Sequence, residues 1–202
     1  MNDTQAKVSA CLPGGTDTAV LDKWTQRIIT TGYDKNQGRW SWVKIQGNES
    51  KQGKYITIWI INAYRICQKQ VVGGNYTLYM QQYEQQLKEG NPTSTPHSQI
   101  IIDLNKFIKE YKSQGEEKVI CLNANEEMTK GGDPKRGSIF QLIKDNAMIC
   151  AHEYLGGVGG TSKTSGNRLD YILVTSGILP SIIRAEKDPL KRVLLLTTGH
   201  SI

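Results

Sequence analysis

An apolar run at residues 55–63 constrains the fold of this chain more than any other feature of its sequence. The run is nearly continuous in hydrophobicity and rich in β-branched and aromatic residues, which is typical of a strand buried on both faces. It is also far too short to cross a membrane as a helix, which takes about 20 apolar residues. We therefore expect this run to be a central strand of a covered sheet, and we expect no membrane association.

The rest of the chain predicts an alternation of strands and helices around this strand. Further strands are expected at residues 28–31, 40–45, 119–122, 168–175 and 192–196. Helices are expected at about 77–90, 100–111 and 138–146, and apolar residues of the second recur on one helical face. Because the alternation lacks strict βαβ periodicity, we expect a single domain, residues 1–202, of the α/β or α+β class with helices layered on a sheet.

Composition limits the possible partners and cell compartments. Lys and Arg number 25 and Asp and Glu number 19, so the net charge is +6, which is compatible with a polyanionic partner such as nucleic acid. Residues 1–10 carry no apolar signal core, and the four cysteines form no C-x-x-C pair. We therefore expect an intracellular protein, nuclear or cytoplasmic and not secreted, with reduced and mostly buried thiols.

Polar residues that follow or interrupt the predicted strands are candidate site residues, because open α/β sheets place their sites where strands end. These candidates are Tyr64, Arg65, Asn123, Asn125, Glu126, Asp170, Tyr171 and His200. Each has a structural alternative. Asn123 and Asn125 could form an Asx turn, Asp170 could pair with Arg168, and His200 could be a surface histidine.

The order of three motifs is more informative than any one residue. A strand leads into Asn-x-Asn-Glu at 123–126, Arg-Leu-Asp-Tyr-Ile-Leu follows at 168–173, and a histidine follows at 200. This order resembles the endonuclease/exonuclease/phosphatase superfamily, also called deoxyribonuclease-I-like. Four further segments make it similar to the endonuclease domain of non-LTR retrotransposons: residues 13–16, 38–42, 62–65 and 79–83. The resemblance covers about residues 12–200 and implies a layered α/β sandwich.

The resemblance implies a Mg²⁺-dependent DNA-nicking endonuclease, with a reverse transcriptase further along a longer polyprotein. Water would attack the phosphodiester in line while Mg²⁺ neutralises phosphate charge. At the matching positions, His200 would be the base and Asp170 would orient its imidazole. Asn125 would bind a phosphate oxygen, and Tyr64 would contact the scissile phosphate. Three basic residues would contact the nucleic-acid backbone: Arg65, Arg168 and Lys163.

The sequence departs from the family pattern at two carboxylates. Asn123 stands at the family's aspartate position, and Gly199 stands where the family usually has an aspartate before the histidine. An amide cannot accept the proton of an attacking water and is a weaker Mg²⁺ ligand, and losing an acid–base group costs about 10²–10⁴ in rate. The nearby acids Glu126, Glu127 and Asp133 are expected to be solvated loop residues. We therefore expect very low nuclease activity, with the metal ligands unassigned.

The family pattern also contains elements for which this sequence has no match. These are a first strand with a catalytic Asn, a later metal-binding Glu, and a final core strand after the histidine. We therefore expect a domain that is incomplete at both ends and of marginal stability, since strand edges and apolar surface would be uncovered. Two alternatives to an impaired endonuclease stay open: a non-catalytic relic that binds nucleic acid, and a phosphatase of the same superfamily.

Overall fold

The computed structural model describes residues 16–35, 37–49, 53, 55–67, 78–90, 93–111, 116–128, 135–156, 160 and 166–182. The described strands form one mixed six-stranded sheet in the order β1-β2-β3-β4-β6-β5. Their bounds are β1 Ile28–Tyr33, β2 Trp40–Glu49, β3 Tyr55–Tyr64, β4 Glu116–Asn123, β5 Ile149–Cys150 and β6 Asp170–Val174. Strand β3 pairs antiparallel with β2 and parallel with β4, whereas β6 is antiparallel to both β4 and β5.

Helices pack on this sheet, which confirms the expected layered α/β (α+β) class. The described α-helices are α1 Leu78–Lys88, α2 Pro96–Glu110, α3 Ile139–Asn146 and α4 Ala151–Tyr154. Two 3-10 helices span Asp22–Arg27 and Ser176–Ser181. Among the described residues, no helix combines the length and the apolar character that a membrane crossing requires.

The alternation of side chains along the strands divides the buried residues between the two faces of the sheet. The core face packs against α2 and α3, and its strand residues include Trp59, Ile61, Ile120, Leu122 and Leu173. The rear face packs against α4 and the second 3-10 helix, and its strand residues include Ile58, Val119, Cys121, Ile172 and Val174. The two clusters give the sheet an apolar layer on each side.

Strand β3 is less buried than its hydrophobicity predicts. On the core face, Trp59 and Ile61 are buried, but at the start of the strand Tyr55 on this face is 58% exposed and Ile56 on the rear face is 39% exposed. On the rear face, Ile60 is only partly covered. The expectation of burial on both faces is therefore wrong for the start of the strand and for its rear face, since the rear-face cluster is centred on β4 and β6.

Element boundaries depend on caps that the periodicity did not include. Helix α2 starts four residues before the predicted 100, because Thr95 accepts a hydrogen bond from the Ser98 amide and Pro96 occupies the first turn. Helix α3 is confirmed, with Ser138 as its N-cap. Strand β6 begins at Asp170 rather than at 168, and β5 was not predicted. The strand predicted at 192–196 lies outside the described residues.

The three described cysteines are free thiols with different environments. Cys150 is buried, Cys121 is partly covered and Cys67 is exposed. Burial raises the pKa of Cys121 to about 11, so this thiol stays protonated near neutral pH. The expected burial of the thiols is therefore confirmed for Cys150 and wrong for Cys67.

Candidate active site at the sheet edge

Three polar residues form a row at one edge of the sheet. In the strand register, Tyr64 at the end of β3 lies opposite Asn123 at the end of β4. Asn123 in turn lies opposite Asp170 at the start of β6. Side chains alternate along each strand, and all three residues have the parity of the rear-face positions. The sheet thus brings together three of the predicted site residues, which we call the edge row.

Within the edge row, Asn123 has a polar atom without a hydrogen-bond partner among the described residues. Its side-chain Oδ1 is buried and accepts no hydrogen bond from them. Because buried polar atoms are nearly always paired, an unpaired amide oxygen in such a row is available to a ligand or a water molecule. An Asx turn needs this oxygen as the acceptor of a backbone N–H, so the alternative that Asn123 forms an Asx turn is wrong.

Asn125 extends the edge row from the segment after β4. Its backbone has the left-handed φ of 46°, which Asn adopts more readily than other non-glycine residues. Its Nδ2 donates to the backbone oxygen of Arg65 at 2.5 Å, and its side chain also hydrogen-bonds the Tyr64 side chain. The Asn125 amide therefore bonds a segment of the chain that is distant in sequence.

The Tyr64 phenol is protonated near neutral pH. Burial raises its pKa, the nearby Cys67 thiol raises it further, and the hydrogen bond with Asn125 lowers it by less. A protonated phenol is a hydrogen-bond donor. Tyr64 can therefore donate to an anionic oxygen bound at the edge row, which is the role that the resemblance implies for it.

Arg65, the next residue in the chain, is buried and bonds other parts of the protein. Its side chain is 2% exposed. Its Nε donates to the His97 carbonyl oxygen at 2.6 Å, its Nη2 donates to the Gly137 carbonyl oxygen at 2.8 Å, and its Nη1 pairs with the Glu126 carboxylate. We call these four residues the Arg65 cluster. This placement does not support the expected contact between Arg65 and a nucleic-acid backbone, because the guanidinium is buried and each of its nitrogens bonds an acceptor within the protein.

Two other members of the Arg65 cluster have contacts that the sequence did not predict. Glu126 was expected to be a solvated loop acid, which is wrong because it forms the ion pair with buried Arg65. His97 was not a candidate, yet its Nδ1 lies 2.7 Å from the Ile66 carbonyl oxygen and must donate to it. Burial lowers the pKa of His97, and the neighbouring Arg65 lowers it further. No local motif marks His97, and the motif that contains Glu126 does not reveal its ion pair, because the partners of both residues are distant in sequence.

Tyr171 lies on the core face and fastens the segment after β4 to β6. Its hydroxyl accepts from the Met128 amide at 2.8 Å and donates to the Arg168 carbonyl oxygen at 2.8 Å. Burial raises the pKa of Tyr171 to about 12, so the hydroxyl keeps its proton. Tyr171 is therefore a structural residue, and Arg168 lies immediately before β6 near the edge row.

A histidine that the sequence analysis did not consider also lies near Asp170. His152, in α4, interacts electrostatically with Arg168 and Asp170, and its Nδ1 is buried with no hydrogen-bond partner. Burial lowers its pKa, as does Arg168, whereas Asp170 raises it. The unpredicted strand β5, which pairs with β6, brings His152 to this end of the sheet. His200 and Lys163 lie outside the described residues.

The edge row does not by itself fit the Mg²⁺ ion that the resemblance implies. In the described ranges, no group of three or more His, Cys, Asp or Glu side chains could hold a metal ion. The row supplies one carboxylate, from Asp170, while Asn123 supplies a neutral oxygen where a carboxylate is implied. Mg²⁺ prefers charged oxygen ligands in octahedral geometry, so we derive no chemical step through a metal at these residues.

Comparisons with known proteins give similar structures but no sequence match. The sequence matches no protein-family model and no curated protein. Solved structures similar to this chain include the catalytic domain of Xenopus laevis APE2, with 12% identity, a TM-score of 0.39, and coverage of 71% of this chain and 48% of that one. The human Nocturnin catalytic domain is 11% identical with a TM-score of 0.37, and the match covers 75% of this chain and 49% of that one.

A third similar structure carries the superfamily name. An endonuclease/exonuclease/phosphatase family protein from Bacteroides thetaiotaomicron is 11% identical with a TM-score of 0.34, and the match covers 68% of this chain and 41% of that one. The chain thus spans about half the length of these proteins. The side chains at the sheet edge, rather than these similarities, are the basis of the function proposed next.

Proposed function

We propose that this chain is a phosphodiester-binding domain of the endonuclease/exonuclease/phosphatase type, derived from a retroelement endonuclease, whose DNA-nicking activity is strongly reduced. The observation that carries the proposal is the edge row, in which Tyr64, Asn123 and Asp170 lie side by side on three adjacent strands. Asn125 adds an amide that is hydrogen-bonded to Tyr64. The family resemblance implies phosphate contact for Tyr64 and Asn125, orientation of the His200 imidazole for Asp170, and a catalytic position for Asn123.

The chemistry of the edge row suits binding better than catalysis. A phenol hydroxyl and amide N–H groups donate hydrogen bonds to phosphate oxygens. The excess of basic residues, with a net charge of +6, favours a polyanion. Hydrolysis additionally needs a base, because the water oxygen bonds to phosphorus while its proton leaves and the bond to the leaving oxygen breaks. Asn123 cannot accept that proton.

The proposed reaction gives roles to two residues, of which one lies in the described part of the structure. His200 is the proposed base that takes the proton of water. Asp170 is the proposed partner of its imidazole, since a carboxylate fixes the tautomer and stabilises the imidazolium. Asp170 lies within the edge row, whereas His200 is beyond the described residues. Asn123 in place of a carboxylate is the reason we expect the residual rate to be low.

A supercoiled-plasmid nicking assay with Mg²⁺ tests this proposal. The chain itself, Asn123→Asp and His200→Ala are compared, with EDTA as the metal control and Lys106→Ala as a matched surface control. We expect barely detectable nicking by the chain, a rise of about 10²-fold in Asn123→Asp because it restores an acid–base group, and loss in His200→Ala. Lys106 is 76% exposed on α2, so its variant should behave like the parent chain.

Other outcomes would redirect the proposal. Efficient nicking by the unaltered chain would show that Asn123 does not impair it. If no variant nicks DNA, the relic alternative is tested by DNA binding, which should weaken steeply as salt rises because phosphate contacts release counterions. Release of phosphate from a soluble phosphomonoester without DNA nicking would favour the phosphatase alternative.

A further inference from the structure

At two places in the chain, one residue lies in or bonds the edge row and the next residue belongs to the Arg65 cluster. At the end of β3, Tyr64 belongs to the edge row and Arg65 to the cluster. After β4, Asn125 bonds Tyr64, while Glu126 pairs with Arg65. At two places, a single peptide bond therefore joins the buried cluster to a residue of the proposed phosphodiester site.

Arg65 contacts the segment after β4 at three points. Its backbone N–H donates to the Asn123 carbonyl oxygen at 2.8 Å. Its carbonyl oxygen accepts from Asn125 Nδ2 at 2.5 Å, and its guanidinium pairs with Glu126. Asn125 has a φ of 46°, a conformation that L-residues leave easily unless other contacts retain it. The contacts on either side of Asn125 therefore determine where its side chain lies.

We propose that Arg65 is a positioning residue of the phosphodiester site, which fixes Asn125 beside Tyr64 through its backbone and its guanidinium together. This inference rests on the function proposed above and adds a residue that does not touch the substrate. The remaining guanidinium nitrogens bond the carbonyl oxygens of His97 and Gly137, so the side chain is anchored to α2 and to the turn before α3.

Lysine cannot replace arginine in this role. The guanidinium is planar and directs its donors to three separate acceptors, whereas an ammonium group is a compact point charge. Because Arg65 is buried, an acceptor that loses its donor there is costly to leave unpaired. Arg65→Lys therefore preserves the charge but releases the segment that carries Asn125. Loss of one hydrogen bond to a charged phosphate oxygen lowers the affinity for the phosphodiester, so we expect it to fall by about 10- to 100-fold.

The test combines DNA affinity with a direct signal from Asn125. Binding of the full chain to a fluorescein-labelled DNA duplex is measured by anisotropy at fixed salt, and the Asn125 side-chain amide is followed by NMR without DNA. We expect Arg65→Lys to weaken binding and to shift the Asn125 signal. The matched control is Arg39→Lys, since Arg39 is also buried, at 4% exposure, but pairs with Asp34 and Asp103 instead.

The outcomes separate this inference from the function on which it rests. If the parent chain binds DNA and Arg65→Lys binds equally well with an unmoved Asn125 signal, the positioning role is wrong and the proposed function stands. If the parent chain does not bind DNA, the proposed function fails and the role of Arg65 in a phosphodiester site fails with it. If Arg65→Lys does not fold, Glu126→Gln tests the positioning role, because it removes the ion pair but leaves the arginine in place. We expect it to fold and to shift the Asn125 signal, and an unmoved signal would contradict the positioning role.

Discussion

Tyr64 and Arg65 are neighbours in the chain, but they belong to two polar regions with opposite properties. In the Arg65 cluster, each guanidinium nitrogen has a partner within the protein. In the edge row, the amide oxygen of Asn123 is buried without one. The first region is a closed polar network, whereas the second retains a hydrogen-bonding group for something outside the described residues.

The difference shows why residue type alone does not identify a binding residue. An arginine after a strand, in a basic chain, is an ordinary candidate for a phosphate contact. Here the arginine side chain bonds acceptors within the protein, while the uncharged amide of Asn123 keeps an unpaired oxygen. Closed polar networks in a low-dielectric interior are costly to disrupt, while an unpaired group loses little when removed. The variants below test this contrast, beginning with the largest expected effect.

Removing the Arg65 side chain should be the most damaging change. Arg65→Ala leaves the Glu126 carboxylate and two carbonyl oxygens without their donor, and breaking a buried ion pair costs about 3–5 kcal/mol. The free energy of unfolding from urea denaturation measures this loss. Arg27→Ala is the control, because Arg27 makes an exposed hydrogen bond to Asn48 and should cost under about 1 kcal/mol. Equal losses in the two variants would show that the Arg65 cluster contributes no more to stability than an exposed hydrogen bond does.

Removing the Tyr171 hydroxyl should have an intermediate effect. Tyr171→Phe leaves the Met128 amide and the Arg168 carbonyl oxygen without their shared partner, at a cost of about 1–3 kcal/mol. Thermal unfolding measures it, with Tyr154→Phe as the control because Tyr154 is 57% exposed. A Tyr171→Phe variant as stable as the parent would mean that this hydroxyl does not fasten the segment after β4.

Acid should weaken the fold through its buried histidines. Burial and Arg65 lower the pKa of His97 from the usual 6.5, against a smaller opposing effect of Glu126, and burial and Arg168 lower that of His152. Below about pH 6.5 the unfolded chain then binds more protons than the folded one, so the free energy of unfolding falls as pH drops. Denaturation between about pH 7.5 and 5.5 tests this, since carboxylates titrate mostly lower. His97→Gln should reduce the slope, and stability that rises towards acid would refute the assignment.

Truncating Asn123 should have the smallest effect on stability. Because its Oδ1 has no partner, Asn123→Ala should change the free energy of unfolding by no more than about 0.5 kcal/mol. The control is Asn146→Ala, because the Asn146 Nδ2 donates to Leu142 and Asn105 and its loss should cost about 1–2 kcal/mol. A large destabilisation in Asn123→Ala would mean that the edge row is a structural network like the Arg65 cluster.

Local sequence patterns were sufficient to predict most helices and strands and to select the residues of the edge row as candidates. Hydrophobic periodicity predicted α2, and apolar runs predicted β3 and β4. The same patterns did not predict β5, which is two residues long. They also started β6 two residues early, because the strand bounds depend on pairing with β4 rather than on the residues themselves.

By itself, the sequence determined where the chain alternates between strand and helix and which polar residues follow its strands, because both depend on residues close together along the chain. Only the tertiary structure decided that Tyr64, Asn123 and Asp170 are neighbours, since strand register is set by contacts between distant segments. It also decided that Arg65 turns inward. Its acceptors come from α2, from the segment after β4 and from the turn before α3, and they meet only when these elements pack on one sheet.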